Sequence, residues 1–332
     1  MPRTTSILNN LFRIYTSAFL LALFSCGSQK QEVITLAHGL DQQHSVHQAM
    51  LRFGEALYEK SGGTMEVRVY PSQQLGSERE LLELLQLGSV DITKVSAAVM
   101  ENFVPEYRIF SLPYVFMGKE HAFTVLDGEV GKRILESGKD VKLYGLGYYD
   151  SGSRSFYTKD KPVAAPADLE GLKIRVQESV TAMAMVEALG GAPTPIAFGE
   201  LYTALQAGVV DGAENNPPSF YLTRHYEVCR YYSINEHSRI PDVMLMSTHS
   251  WERLTDQQRL WVEEAVKESV DYQRQLWEQS EKEALEAVMA HGVTVSYPDK
   301  AAFEQRVQQL KATYQQDPII NELLGEINKL NP

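Results

Sequence analysis

The sequence has 332 residues, of which 44% are hydrophobic, so it is long enough for two domains that each bury a core. Its formal net charge at pH 7 is -12 and its mean hydropathy is -0.26, values typical of a soluble acidic protein. No lysine- and arginine-rich cluster of the kind that binds phosphate backbones is present, so nucleic acid is not an expected partner, and any anionic ligand must be bound by a few local cations.

The amino-terminal segment differs from the rest of the chain. Arg3 and Arg13 precede an apolar stretch, residues 14–24, that is too short to span a bilayer. This pattern predicts a secretory signal peptide over residues 1–25. Cys26 follows directly and resembles the cysteine of a bacterial lipobox, so we expect it to be lipidated and residues 26–32 to form a short tether. The alternative is ordinary cleavage that leaves Cys26 as a plain thiol.

Strands and helices alternate after the tether. The second helix has a clear start signal, because Ser77 is placed as its N-cap and Glu80 as the capping-box partner. A β-α-β-α-β order is typical of an open, mostly parallel sheet covered by helices. The predicted elements of this first unit are strands at 33–39, 64–70 and 90–96, and helices at 44–63 and 77–88.

A second unit of the same kind begins near residue 141. The segment 250–292 is strongly helical and too long for one small lobe, so we expect a helix to run across both lobes. The predicted fold class is therefore α/β with two lobes, each an open, mostly parallel sheet flanked by helices. We expect lobe I to comprise 33–152 and 241–280 and lobe II to comprise 153–240 and 281–332, with a ligand in the crevice between them.

The sequence contains no convincing enzyme motif. Phosphate-loop, dinucleotide, G-x-S-x-G and H-E-x-x-H patterns are all missing or incomplete. His44 and His47 are three residues apart but have no third metal ligand nearby, so we interpret them as helix-start residues. Cys229 is predicted to be a packed core thiol. We expect a binding protein without cofactor, metal or catalytic residues.

Four segments together resemble a known family. Residues 70–93, 148–176, 189–221 and 291–299 are similar, in order and spacing, to the solute-binding subunit of TRAP (tripartite ATP-independent periplasmic) transporters, the DctP-like family. The resemblance extends from about residue 33 to the carboxyl terminus. It implies a two-lobed periplasmic binding protein that works as a monomer. Most members of the family are soluble, so the lipid anchor expected at Cys26, the only membrane attachment we expect, departs from the majority. Such a protein would deliver an organic acid to the membrane permease subunits.

The resemblance also implies a carboxylate site on the second lobe. Arg175, in the strand "GLKIRV", would bind the ligand carboxylate with both arms of its guanidinium, and Arg154 would assist it. Asn215 would orient the carboxylate and Phe198 would pack against the ligand. From local pattern alone, Arg175 could also be a solvated strand residue, and Phe198 a plain core aromatic. An empty closed cleft would bury both arginines unpaired, so we expect the ligand to favour closure.

Further candidates are expected to contact the rest of the ligand. Glu78 would repel a second carboxylate but would accept hydrogen bonds from hydroxyl groups. This pattern, with the run "ENNPPSFY" that resembles the sugar-acid subgroup, predicts a hexuronate such as galacturonate or glucuronate. C4-dicarboxylates, 2-oxo acids, a periplasmic sensor function and an exported enzyme acting on sugar acids stay open as alternatives. The candidates are His38, Glu78, Lys94 and Ser96, with Asn216 beside Asn215.

Overall fold

The computed structural model describes residues 31–330, so the predictions made for the signal peptide and for Cys26 lie outside the described residues. The described chain forms two β-sheets flanked by helices, one of five strands and one of six. In this part of the protein, none of the helices is both long and apolar enough to cross a membrane.

The first sheet has the strand order β2-β1-β3-β10-β4. Its first three strands are parallel, as the sequence predicts. The fourth, β10, comes from late in the chain and runs antiparallel between β3 and β4, which local pattern did not reveal. The strands are β1 (Glu32–His38), β2 (Met65–Tyr70), β3 (Ile92–Ser96), β4 (Leu143–Tyr149) and β10 (Asp242–Ser247).

Helices cover both faces of this sheet. The predicted capping box is confirmed, because Ser77 Oγ accepts a hydrogen bond from Glu80 N (3.4 Å) while Glu80 Oε2 accepts one from Ser77 N (2.8 Å). This capping box determines where α2 starts, which is beside the end of β3. The helices are α1 (Ser45–Lys60), α2 (Glu78–Gln86), α3 (Ala97–Met100), α4 (Arg108–Ser111), α5 (Lys119–Asp127) and α6 (Glu129–Glu136).

The second sheet has the strand order β11-β9-β5-β8-β6-β7. Strand β6 is parallel to β7 and β8, whereas β5 is antiparallel to β8 and β9, so both sheets are mixed. The strands are β5 (Arg154–Thr158), β6 (Lys173–Val176), β7 (Ala192–Pro195), β8 (Gly212–Asn215), β9 (Tyr231–Ser238) and β11 (Thr294–Ser296). The helices are α7 (Val180–Leu189), α8 (Leu201–Gln206), α9 (Pro217–Leu222), α12 (Lys300–Arg306) and α13 (Gln308–Tyr314). Cys229 is fully buried in this lobe, as predicted.

The long helix α11 (Asp256–Ala290) has 35 residues and spans both lobes as expected. Val262 packs in the core beside the first sheet, and Val288 packs in the core beside the second. The helix is shorter than predicted, because a separate α10 (Thr248–Arg253) precedes it. Thr255 starts α11 as an N-cap with its own capping box, and this interrupts the helical segment.

Two adjacent segments, 150–153 and 239–241, connect the sheets. Helix α11 is hydrogen-bonded to segment 150–153, because Gln273 accepts from Asp150 N (2.8 Å) and donates to Asp150 O (2.7 Å). Arg239 Nη1 then joins the two segments by donating to Asp150 Oδ1 (2.8 Å). The last helix, α14 (Pro318–Lys329), packs Ile320 and Leu323 into the core of the first lobe. We therefore place α14 with the first lobe, although the sequence assigned residues 281–332 to the second.

Candidate ligand-binding cavity between the lobes

A cavity lies between the two sheets, and both lobes contribute to its lining. The two lobes contact each other at the edge of the cavity, since Ser96 Oγ donates to Gln177 Oε1 (3.3 Å) and Asn102 Nδ2 donates to Glu178 O (2.5 Å). This arrangement is a closed one. All the ligand-binding residues predicted from the sequence line the cavity except His38; they are Glu78, Lys94, Ser96, Arg154, Arg175, Phe198, Asn215 and Asn216.

Arg175 is a buried cation that is not paired with a carboxylate of the described chain. It lies on β6, is 2% exposed, and donates from Nε to the carbonyl oxygen of Ile196 (2.8 Å). Among the described residues, Nη1 has no hydrogen-bond partner and no carboxylate lies within 4.0 Å of the guanidinium. Burial lowers the pKa of Arg175 from its ordinary value, and Phe198 places its ring 5.8 Å from Cζ. Arg175 is therefore not a solvated strand residue.

Arg154 is equally buried but is neutralised. Its Nε donates to Glu214 Oε2 (2.5 Å) and its Nη2 donates to Glu214 Oε1 (2.8 Å), a bidentate pair. Burial alone would raise the pKa of Glu214, but Arg154 and His237 outweigh it and hold that pKa well below its usual range. The expectation that both arginines lie unpaired is therefore wrong for Arg154, which keeps one N–H without a partner in residues 31–330.

The two asparagines have different roles. Asn215 Oδ1 accepts from Arg154 Nη1 and from Asn216 N, both at 2.9 Å, so its amide Nδ2 is the group available as a donor. Asn216 is the N-cap of α9: its Oδ1 accepts from Ser219 N (2.9 Å) and its Nδ2 donates to Ser151 Oγ (3.3 Å). Asn216 thus lines the cavity mainly as a structural residue.

The first-lobe wall holds one cation between two carboxylates. Lys94 on β3 is 2% exposed, and its Nζ lies 3.1 Å from Glu78 Oε1 and 3.0 Å from Asp242 Oδ1. Burial alone would lower the pKa of Lys94, but Asp242 and Glu78 outweigh it and the pKa is raised. Glu78 also accepts from Ser96 N (3.2 Å). Burial raises the pKa of Asp242 from its ordinary value, and Lys94 opposes this rise. When all three groups are ionised, this wall offers hydrogen-bond acceptors and has an excess of one negative charge.

His38 lies behind the cavity wall rather than in it. Its Nδ1 accepts from Leu40 N (3.1 Å), so Nε2 bears the proton and donates to His47 Nδ1 (2.9 Å). Burial lowers the pKa of His38 far below its ordinary value, which keeps the ring neutral at pH 7. Both ring nitrogens are occupied, and the predicted contact of His38 with a ligand is not supported by its position.

His44 is a cavity residue that the sequence did not reveal. It is the N-cap of α1, as its interpretation as a helix-start residue implies, and its Nδ1 accepts from Val46 N (3.2 Å). The ring also lines the cavity, and Nε2 has no hydrogen-bond partner within residues 31–330. Burial lowers the pKa of His44 to about 3, so the neutral ring presents Nε2–H as a donor.

Several other polar lining residues were not predicted from the sequence, among them Gln73, Ser151, Gln177 and Asp242. They lie on loops or at strand ends that meet only when the two lobes are assembled, so no local spacing marks them. Their side chains offer amide, hydroxyl and carboxylate groups, which suit a polar ligand. In the described part of the chain, no group of three or more histidine, cysteine, aspartate or glutamate residues is arranged to hold a metal ion.

Two α/β lobes around a polar cleft define the class of bilobal solute-binding proteins. Residues 36–317 match the family model described as DctP, bacterial extracellular solute-binding protein, family 7. The chain belongs to this family, whose members are the substrate-binding components of TRAP transporters and are not enzymes. They act outside the cytoplasm with membrane permease subunits. The family and the function inferred from the resemblance are thus confirmed.

Solved structures of similar proteins carry bound sugar acids. A TRAP solute-binding protein from Anaerococcus prevotii with bound D-glucuronate is 39% identical, with a TM-score of 0.88 over 91% of this chain and 98% of that one. One from a Bradyrhizobium species in complex with D-galacturonate is 38% identical, with a TM-score of 0.88 over 90% and 100%. The C4-dicarboxylate-binding periplasmic protein DctP of Rhodobacter capsulatus is 31% identical over 87% of this chain and 88% of its own.

Proposed function

We propose that this protein captures a hexuronate, galacturonate or glucuronate, and delivers it to a TRAP permease. The observation that carries the proposal is the contrast between the cavity walls. Arg175 is buried in one wall with no carboxylate within 4.0 Å among the described residues, while on the other wall two carboxylates, Glu78 and Asp242, surround Lys94. One carboxylate on the ligand neutralises Arg175, and a second would be repelled by the opposite wall.

The proposed contacts divide the ligand into an acid end and a hydroxyl end. Arg175 donates two parallel hydrogen bonds to the carboxylate, and Nδ2 of Asn215 and the remaining N–H of Arg154 support it. Glu78 and Asp242 accept hydrogen bonds from sugar hydroxyls. The hydroxyl end is also served by two donors, His44 Nε2–H and Lys94, and Phe198 packs against the apolar face of the sugar ring.

The same charges account for closure around the ligand. Without an acid in the cavity, the closed form holds the Arg175 guanidinium out of water and unpaired, which favours an open form with the guanidinium hydrated. A bound carboxylate removes this penalty and shifts the lobes towards the closed form. We propose the connections near 152–153 and 240–241 as the lobe boundaries, and the closed form as the shape that the permease recognises.

A thermal-shift panel at equal concentrations tests the ligand assignment. It contains galacturonate, glucuronate, aldonates, C4-dicarboxylates, 2-oxo acids and sialate. We expect the hexuronates to give the largest increase in melting temperature and a dissociation constant of about 1 μM or lower. If succinate or a 2-oxo acid stabilises the protein strongly and no sugar acid does, the hydroxyl-binding role of Glu78 is wrong.

The anchor and the oligomeric state are proposed from the sequence alone. We propose that the mature protein is a monomer in the periplasm, attached to a membrane through acyl chains on Cys26. Cys26→Ser should release it into the soluble periplasmic fraction with ligand affinity unchanged. A wild-type protein that is already freely soluble in cells would contradict the anchor, and size-exclusion chromatography checks the monomer.

A further inference from the structure

Glu101 lies on the seam between the two lobes, next to the cavity. It follows α3 of the first lobe, and its Oε1 accepts hydrogen bonds from Ser179 Oγ (2.8 Å) and Thr181 N (2.9 Å) of the second lobe. These partners belong to the amino-terminal turn of α7, which Ser179 caps. One carboxylate oxygen thus holds the start of a helix on the opposite lobe.

In the part of the chain that the structure describes, no cation is paired with Glu101. The residue is 2% exposed and, within residues 31–330, forms no ion pair shorter than 4.0 Å. The groups that face it are the hydroxyls of Ser111 on α4 and Thr181 on α7, with Tyr314 on α13 behind them. Arg108, the cation near Tyr314, pairs instead with Asp317 at 4.0 Å.

Several polar atoms on this seam lack partners. Glu101 Oε2, Ser111 Oγ and Thr181 Oγ1 are all buried without a hydrogen-bond partner among the described residues. A protonated Glu101 would gain an O–H on Oε2 that can donate towards these hydroxyls, while Oε1 continues to accept from Ser179 and Thr181. The seam can therefore hold the neutral carboxyl. Burial raises the pKa of Glu101 from its ordinary value and outweighs the hydrogen bonds from Ser179, Thr181 and Ser111, which lower it by stabilising the ionised form.

Separation of the lobes would change this environment completely. Glu101 and the first turn of α7 lie on different lobes, so opening would break both hydrogen bonds and expose the carboxylate to water. A hydrated carboxylate recovers its ordinary pKa, about 4.3 for glutamate. Closing transfers the group out of water with no cation to offset the loss of hydration, which favours its protonated form.

We propose that Glu101 is a positioning residue that takes up a proton as the lobes close on the ligand, so that ligand affinity rises as the pH falls. This inference rests on the closure described under the proposed function. Glu101 does not touch the ligand in this scheme. It acts by linking the two lobes through hydrogen bonds beside the cavity. Val99 of the first lobe and Glu178 of the second both line the cavity wall there.

The direction of the pH dependence follows from the two states. Because the pKa is higher in the closed form than in the open one, the additional affinity is fully present below the open-state pKa and is lost as the pH rises through the closed-state pKa. A difference of one unit corresponds to about a tenfold change in the dissociation constant.

Isothermal titration calorimetry of the intact mature protein tests the proposal. The titrant is whichever acid of the thermal-shift panel binds most tightly, so failure of the hexuronate assignment is distinguished from failure of this one. For a pKa difference of one unit, we expect binding to be about two- to threefold tighter at about pH 5 than at about pH 8, because pH 5 lies above the open-state pKa and only part of the effect is present there. Titrations in buffers of different ionisation enthalpy should show a net uptake of protons at the lower pH.

The variant Glu101→Gln distinguishes the proton uptake of Glu101 from that of all other titrating groups. Its amide oxygen can still accept from Ser179 and Thr181, but it has no proton to gain, so both the pH dependence and the proton uptake should largely disappear. Glu106→Gln, a partly exposed carboxylate nearby, is the matched control and should keep wild-type behaviour. Wild-type binding without proton uptake, or uptake that persists in Glu101→Gln, overturns the proposal.

A second variant covers the possibility that Glu101→Gln does not fold. Ser179→Ala removes a hydrogen bond to the ionised carboxylate, so the closed-state pKa of Glu101 should rise and proton uptake should increase. Uptake that is unchanged in Ser179→Ala contradicts the proposal as well.

Discussion

On the second-lobe wall of the cavity, Arg175 is buried and no carboxylate of the described chain lies within 4.0 Å of it, whereas on the first-lobe wall Lys94 is as deeply buried and lies between Glu78 and Asp242. Burial therefore does not distinguish a ligand-binding cation from a structural one. The difference is the counter-charge, because a buried cation whose partner is missing from the fold is stabilised by a partner that arrives with the ligand.

Arg154 and Arg175 show the same difference between two cations of a single wall. Arg154 is 3% exposed, close to the 2% of Arg175, and it lines the same cavity. Its charge is already matched by Glu214, and it holds Oδ1 of Asn215 in place. The two arginines should therefore respond in opposite ways to mutation: one should affect the stability of the fold and the other the affinity for the ligand.

The largest expected effect is the loss of stability in Arg154→Met. The substitution leaves Glu214 buried without its cation, which should lower the free energy of unfolding by roughly 3–5 kcal/mol. The matched variant Arg175→Met leaves no carboxylate unpaired, so the ligand-free protein should lose little stability or gain some. Urea denaturation of both variants without ligand measures the difference, and equal losses would contradict the assignment of the counter-charges.

Affinity should respond most strongly to Arg175→Lys. A bidentate pair becomes a point charge, so calorimetry should show binding weakened by about tenfold or more while the fold remains intact. Because Lys keeps the positive charge, the comparison isolates the geometry of the guanidinium. An unchanged dissociation constant would show that Arg175 does not bind the carboxylate.

A smaller change in selectivity is expected from Glu78→Gln. The substitution removes the excess negative charge of the first-lobe wall and frees part of the charge of Lys94 for a second carboxylate. Uronate binding should weaken by about 1 kcal/mol, roughly fivefold, through the poorer acceptor. Binding of C4-dicarboxylates should improve relative to uronates in a competition assay, whereas Glu83→Gln, an exposed control on α2, should leave the ratio unchanged.

A separate effect, on the pH dependence of stability, concerns His44, the neutral donor of the first-lobe wall. The pKa of His44 is about 3 in the folded protein and near 6.5 when unfolded, so stability is present above pH 6.5 and is lost as the pH falls below it. His44→Asn keeps an N-cap on α1 but removes this titration. Its unfolding free energy should decline less steeply between pH 6.5 and 5, by up to about 1.4 kcal/mol per unit. Identical slopes would mean that His44 is not buried as a neutral ring.

Local pattern predicted most of the elements that surround the cavity. The capping box at Ser77 and the alternation around Arg175 are short-range signals, and both located their elements correctly. The break before α11 also had a local signal, since Thr255 and Gln258 have capping-box spacing that the sequence analysis overlooked.

Other features depend on residues far apart in the chain. The pairing of Arg154 with Glu214 requires β5 to lie beside β8, and no motif near either residue encodes that register. The same holds for His44, whose position in the cavity depends on how α1 meets the opposite lobe. Family resemblance supplied Arg154 as a site residue but did not show that its charge is already neutralised.

The antiparallel strand β10 has a consequence for how the chain acquires its structure. Strand β4 ends at Tyr149, yet in the first sheet it is bonded only to β10, which begins at Asp242. A chain that emerges from the ribosome amino terminus first therefore holds β3 and β4 without the strand that joins them for nearly a hundred residues of synthesis. Because such long-range pairing is slow to form, the first lobe should complete its sheet only after strands β5 to β9 of the second lobe have been made. A nascent chain stopped before residue 242 should expose the edges of β3 and β4 to proteases.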